Sequence, residues 1–249
     1  MGSDPGTTGL EESMGGLEKS MSGLDVVVTG GTGALGGAVV SALLNRGATV
    51  HIPGFRAADA DRFPLATHDR VHIVGGVDLS NEEQARAFFE SRPPLWASVN
   101  VAGGFMMAPI ADTTAAAFRA QLERNTVSCF LSCQGAVERI RARIKSHGPG
   151  GRIVNVAAGP GVRPVGGMVA YSAAKSGVVA ITLSLAEELA AEAIRVNAIV
   201  PGVMDTPANR AAMPDADRST WSSLDDVAGT VAWLASPANT TASGALLPV

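Results

Sequence analysis

The chain has 249 residues, 46% of them hydrophobic and 17% charged, with 29 glycines. That balance describes a compact domain and excludes a chain disordered throughout. Nineteen basic against twenty-three acidic residues leave a net charge of −4, so there is no overall basic excess to grip a phosphate backbone, and no nucleic-acid partner is expected.

Residues 1–22 are Gly, Ser, Thr and Glu with isolated Met and Leu. They show neither helical nor strand period and read as a disordered tail or an expression remnant, which leaves residues 23–249 as a single domain. From Leu24 onward an apolar run, a Gly-rich turn, an amphipathic stretch and another apolar run alternate to the end. Repeated βα units of this kind predict an α/β fold, a parallel sheet with helices on both faces.

Strands are predicted at Asp25 to Thr29, Thr49 to Ile52, Val71 to Val74, Trp96 to Val101, Arg152 to Ala157, Arg195 to Val200 and near Ala245 to Val249. Predicted helices run from Ala34 to Arg46, from Asn81 to Ser91 with Ser80 and Glu83 at capping-box spacing, from Thr113 to Lys145, and from Val169 to Glu192. Pro53, Gly54 and Pro64 break any helical pattern between Gly54 and Arg70. The helix from Val169 is apolar on several sides and needs cover beyond its own sheet, either from loops of the same chain or from a partner subunit. A homodimer or homotetramer is expected.

Cys129 and Cys133 lie four apart, on one face of a helix. The histidines 51, 68, 72 and 147 bring no ligand spacing to them, so buried thiols and no metal are expected. No apolar run reaches the ~18 residues a bilayer requires, and the N-terminus has neither a basic region nor an apolar core. No membrane partner is expected, and the cytosol is the default compartment.

Thr29-Gly30-Gly31-Thr32-Gly33-Ala34-Leu35-Gly36 follows the first strand and opens the first helix. Such a turn aims backbone N–H groups and a helix N-terminus at a pyrophosphate with no side chain in the way, which predicts nucleotide binding. The second strand normally ends in an acid when a ribose 2′-hydroxyl is read, and His51-Ile52-Pro53-Gly54-Phe55-Arg56 offers none. Arg56 can pair with a 2′-phosphate, which favours NADP over NAD.

The chain has one tyrosine and three lysines, and Tyr171 and Lys175 stand at i, i+4, neighbours on one helix face. A free phenol is a poor acid–base catalyst at neutral pH, and a nearby ammonium is expected to lower its pKa.

With the turn, this pair and the segments between them, residues 24–249 resemble the short-chain dehydrogenase/reductase family. Asp78 looks like the family's adenine-contacting Asp, and Asn100-Val101-Ala102-Gly103 is similar to its Asn-Asn-Ala-Gly turn. Asn125 stands where the family has the helix-kinking Asn that holds a water of the proton relay, and Arg195-Val196-Asn197-Ala198 with Pro201-Gly202 and Thr206 resembles the nicotinamide-holding segment. The resemblance implies a Rossmann-like doubly wound sheet and an NAD(P)H-dependent oxidoreductase acting on a small molecule, with Tyr171, Lys175 and Asn125 catalytic. It implies cofactor contacts from Gly30, Thr32, Gly33, Leu35 and Gly36, from Asp78 and Leu79, from Ala102 and Gly103, from Tyr171 and Lys175, and from Pro201, Gly202, Val203 and Thr206.

The family's catalytic serine lies thirteen residues before the tyrosine, and that place is Ala158 here. Losing one donor to a developing oxyanion costs about 10²–10³ in rate. Three readings follow: another group such as Ser172 replaces it, the substrate is activated enough to need little help, or the fold is a nucleotide-binding module that catalyses little. The second gains support from a likeness to the serine-lacking quinonoid dihydropteridine reductase subgroup. That likeness is carried by Gly31 to Gly36, by Val101-Ala102-Gly103-Gly104-Phe105 and by Asp205-Thr206-Pro207 through Trp221. It implies a carbonyl, quinonoid or imine-like substrate. The loops expected to touch it, Phe105 and Met106, Pro160 to Met168 and Met204 to Trp221, are apolar with few charges, which suggests a small, planar or largely hydrophobic one.

Overall fold

The computed structural model describes residues 21–249. The predicted tail therefore lies outside the described residues except for Met21 and Ser22. Met21 is not tail: it is fully buried and its N–H donates to the Arg46 carbonyl at 2.9 Å.

Seven strands, β1 (Asp25–Thr29), β2 (Thr49–Gly54), β3 (Val71–Gly75), β4 (Ala97–Asn100), β5 (Gly151–Val156), β6 (Ile194–Val200) and β7 (Leu246–Pro248), form one parallel sheet. Their order is β3-β2-β1-β4-β5-β6-β7. Successive residues of β1 feed opposite cores. Val26 and Val28 pack with α1 (Ala34–Asn45) and α7 (Leu224–Ala235), whereas Val27 packs with α2 (Glu82–Glu90), α4 (Ser128–His147) and α5 (Val169–Glu188). The sheet is thus doubly wound, covered on both faces, and this is why its strands read as continuous apolar runs.

Several elements differ from expectation for local reasons. The helix predicted from Thr113 to Lys145 is α3 (Ala115–Leu122), a π-turn at Glu123–Val127, and α4. Asn125 Nδ2 donates to the Gln121 carbonyl at 3.1 Å, occupying the acceptor that a regular helix would give to the Asn125 backbone. α2 is capped by Asn81, which accepts the Gln84 N–H at 3.0 Å, while Ser80 turns back to Asp78. α5 stops at Glu188, and Ala193, in the left-handed region at φ 56°, reverses the chain into β6. Two helices after β6, α6 (Pro207–Ala212) and α7, were not foreseen. The cap of α7 was readable, because Ser223 Oγ accepts the Asp226 N–H at 3.1 Å and Asp225 and Asp226 fill the first turn.

α5 has twenty residues and a mean hydropathy of 1.4, long and apolar enough to cross a membrane. Here its Lys175, Val178, Thr182 and Ala186 are buried in the domain.

Candidate functional site

β1 and β4 are neighbours, and the chain leaves them toward opposite edges of the sheet. That switch point opens a crevice at their carboxyl ends, the place where open α/β sheets bind ligands. Its floor is the glycine turn. Gly30 has φ +65°, and a β-carbon there would lie 2.9 Å from the Ala102 nitrogen. Thr29 Oγ1 accepts the Ala102 N–H at 3.2 Å, so the turns after β1 and β4 are fastened together. A β-carbon on Gly36 would run into the Gly30 carbonyl, so only glycine lets α1 start this close to the strand.

Gly33 caps α1 with no side-chain hydrogen bond, and Gly33 and Ala34 are exposed. No side chain takes the N–H groups of the first turn, and a helix start of this kind suits a pyrophosphate. Ala34, which stands where the resembled family has Gly, adds only a methyl group to the turn and is exposed. Leu35 is buried in the core, so it offers the cradle its backbone only. Leu79 is buried as well. Asp78 Oδ1 accepts both the backbone N–H and the hydroxyl of Ser80, at 2.9 and 2.7 Å.

Arg56 is exposed beyond β2. The sequence reading found no acid at this strand end, but the fold supplies one. Asp59, on the 3₁₀ turn Ala57–Arg62, folds back and accepts the Arg56 N–H through Oδ2 at 2.8 Å.

A buried polar chain fixes α5 to the sheet below the crevice. Ser98 Oγ donates to Asn100 Oδ1 (2.9 Å), Asn100 Nδ2 to Asn155 Oδ1 (2.8 Å), and Asn155 Nδ2 to Thr182 Oγ1 (2.9 Å). Every member is satisfied, so the chain sets the register of α5 against β4 and β5. The sequence motif singled out Asn100 but neither Asn155 nor Thr182, whose mutual contact spans 27 residues.

The same helix carries Tyr171 and Lys175. Lys175 is buried and donates through Nζ to the Val156 carbonyl at 2.8 Å. Burial lowers its pKa to about 8, against a weaker upward pull from the Cys129 thiol. Cys129 and Cys133 are both buried. The Tyr171 ring meets Phe105 edge-on, with centroids 5.1 Å apart. Burial raises the Tyr171 pKa, opposite to the lowering expected from the ammonium, because desolvation of the phenolate dominates.

Gly103 brings the next two groups together. A β-carbon on it would lie 2.7 Å from Asn125 Oδ1 and 3.3 Å from Lys175 Nζ. Asn125 is fully buried in the π-turn and holds the Gly104 backbone. Ala158 lies two residues beyond β5, in extended conformation, and is 5% exposed. Ser172 Oγ is buried with no hydrogen-bond partner among the described residues.

After β6, Pro201 is buried while Gly202 and Val203 are exposed. The Thr206 hydroxyl caps α6 by accepting the Asn209 N–H at 3.1 Å. Phe105, Met107, Val162 and Val165 are exposed at 61%, 63%, 45% and 53%, apolar side chains on the segments that follow β4 and β5.

A family model described as short chain dehydrogenase matches residues 25–217. The chain is 33% identical over 239 residues to a cis-4-hydroxycyclohexanecarboxylate dehydrogenase of Sinomonas cyclohexanicum, covering 90% of this chain and 93% of that protein. A solved short chain dehydrogenase/reductase family protein superposes with a TM-score of 0.84 at 26% identity, over 92% of this chain and 97% of the other. ElxO, solved with NADP bound, shares the fold with a TM-score of 0.81 at 21% identity, over 91% of this chain and 96% of its own.

Proposed function

The chain belongs to the short-chain dehydrogenase/reductase family and is an NAD(P)-dependent oxidoreductase; from that premise we propose that it reduces a carbonyl, quinonoid or imine-like group on a small apolar molecule, with NADPH preferred. The observation that carries this reading is the meeting of Lys175 and Asn125 at Gly103, one helical turn from Tyr171 and beside the glycine cradle.

The residues that would hold the coenzyme are the turn from Gly30 to Gly36, including Thr32, then Asp78, Ala102, Gly103 and the segment Pro201 to Thr206, with Arg56 at the 2′-phosphate. When bound, a nicotinamide coenzyme supplies the hydride. Tyr171 gives its phenolic proton to the substrate oxygen or nitrogen. Lys175 holds its place through Val156 and restores the phenol's proton. Asn125 Oδ1 and Lys175 Nζ flank Gly103 no more than about 6 Å apart, a gap that one bridging water spans on the way to solvent.

Ala158 gives no hydroxyl to the developing oxyanion, which favours an activated acceptor over a simple ketone. The exposed apolar side chain of Phe105 suits a flat or ring-shaped substrate, and the Sinomonas relative is named for a hydroxylated cyclohexane ring. Phe130 on α4 and Val169 and Leu183 on α5 are exposed, which supports assembly of copies of this chain.

The test is oxidation of NADPH and NADH with a panel of diketones, quinones and a quinonoid dihydropterin. Turnover with at least one activated acceptor is expected, and background rates across the panel overturn the reading.

A further inference from the structure

β2 ends at Gly54, which is buried and brings no side chain to the strand end. The space beside it is not vacant. A β-carbon on Gly54 would lie 3.3 Å from Asp59 Cβ and 3.6 Å from Asp59 Oδ2. The carboxylate is pinned there by the Arg56 N–H, which donates to Oδ2 at 2.8 Å. A residue five places beyond the strand thus stands where a side chain at the strand end would stand. β2 lies next to β1 in the sheet, so this position borders the glycine cradle, on the side where the adenosine ribose of a dinucleotide is read.

The guanidinium of Arg56 makes no ion pair with Asp59 among the described residues. The same rim therefore carries two opposite charges that are not joined in an ion pair. A carboxylate accepts a hydrogen bond from a ribose 2′-hydroxyl and repels a 2′-phosphate. A guanidinium does the reverse, pairing with the phosphate and gaining little from the hydroxyl.

We propose that Asp59 is a specificity residue of the coenzyme site, opposing Arg56 and holding down the preference for the phosphorylated coenzyme that Arg56 alone would give. The inference rests on the coenzyme reading above. It makes the chain a user of both NADPH and NADH, with a ratio set by the balance of these two side chains. The site is partly open to solvent, so each charge is worth about a factor of ten in affinity and less at high salt.

The experiment measures dissociation constants of NADPH and NADH by coenzyme fluorescence or calorimetry, with no substrate present. It compares wild type, Asp59→Asn and Arg56→Ala, with melting curves to verify folding. Asn retains an oxygen to accept the Arg56 N–H, so the loop is held while the charge is removed. Asp59→Asn is expected to tighten NADPH about tenfold and leave NADH unchanged or weaker. Arg56→Ala is expected to weaken NADPH about tenfold and leave NADH within about twofold. An NADPH-to-NADH ratio unmoved by Asp59→Asn overturns the inference alone. Wild type that binds neither coenzyme overturns both the inference and the reading beneath it.

Discussion

Asn125 and Gly104 hold each other by two hydrogen bonds: the Gly104 N–H donates to Asn125 Oδ1 at 3.1 Å, and Asn125 Nδ2 donates to the Gly104 carbonyl at 3.0 Å. This clamp joins the π-turn after α3 to the loop that carries Gly103 and Phe105. Asn125→Ala leaves both backbone groups without their partner, at about 1–3 kcal/mol for a buried group. Urea unfolding should show that loss, and kcat should fall about ten- to hundredfold with a smaller change in KM. An unchanged unfolding midpoint contradicts the clamp.

Lys175 is buried without a carboxylate partner among the described residues, and burial lowers its pKa from the ordinary 10.5 to about 8. The unfolded chain therefore binds this proton more tightly than the folded one, and stability rises as pH climbs through the window from about 8 to about 10.5. Replacing Lys175 with Met removes the buried charge and the hydrogen bond to Val156. At pH 7 the variant should be more stable by about 1–3 kcal/mol although inactive. The advantage should shrink by about 2 kcal/mol by pH 9.5. Melts at the two pH values check both statements, and a variant less stable than wild type at pH 7 contradicts them.

Ala158 sits two residues beyond β5, 5% exposed. Ala158→Ser adds an oxyanion donor at the place the family uses. Turnover of a simple cyclic ketone should rise tenfold or more, while turnover of an activated diketone changes less. Steady-state rates on the two substrates decide the matter, and an equal effect on both opposes the account of Ala158.

The sheet was legible because all but its edges is buried on both faces, so apolar runs separated by glycine turns mark its strands. The pair Tyr171 and Lys175 was legible because it is local, one helical turn on α5. What sequence could not show depends on chain folding back over itself. Asp59 stands at the end of β2 although it lies on the following turn, and Thr182 meets Asn155 across 27 residues. The π-turn was masked by continuous helical pattern, since a single side chain, Asn125, diverts the backbone bond. The Tyr171 pKa was misjudged because spacing reports proximity to an ammonium but not the desolvation that outweighs it.

The central claim is that Tyr171 donates the proton beside a bound coenzyme. Tyr171→Phe removes that proton and keeps the ring packed against Phe105. Single-turnover rates and coenzyme dissociation constants, measured on the same preparation with the best activated acceptor, test it most directly. The account predicts a rate lowered by about 10²–10⁴ with coenzyme affinity unchanged within about twofold. A variant that turns over as fast as wild type contradicts it.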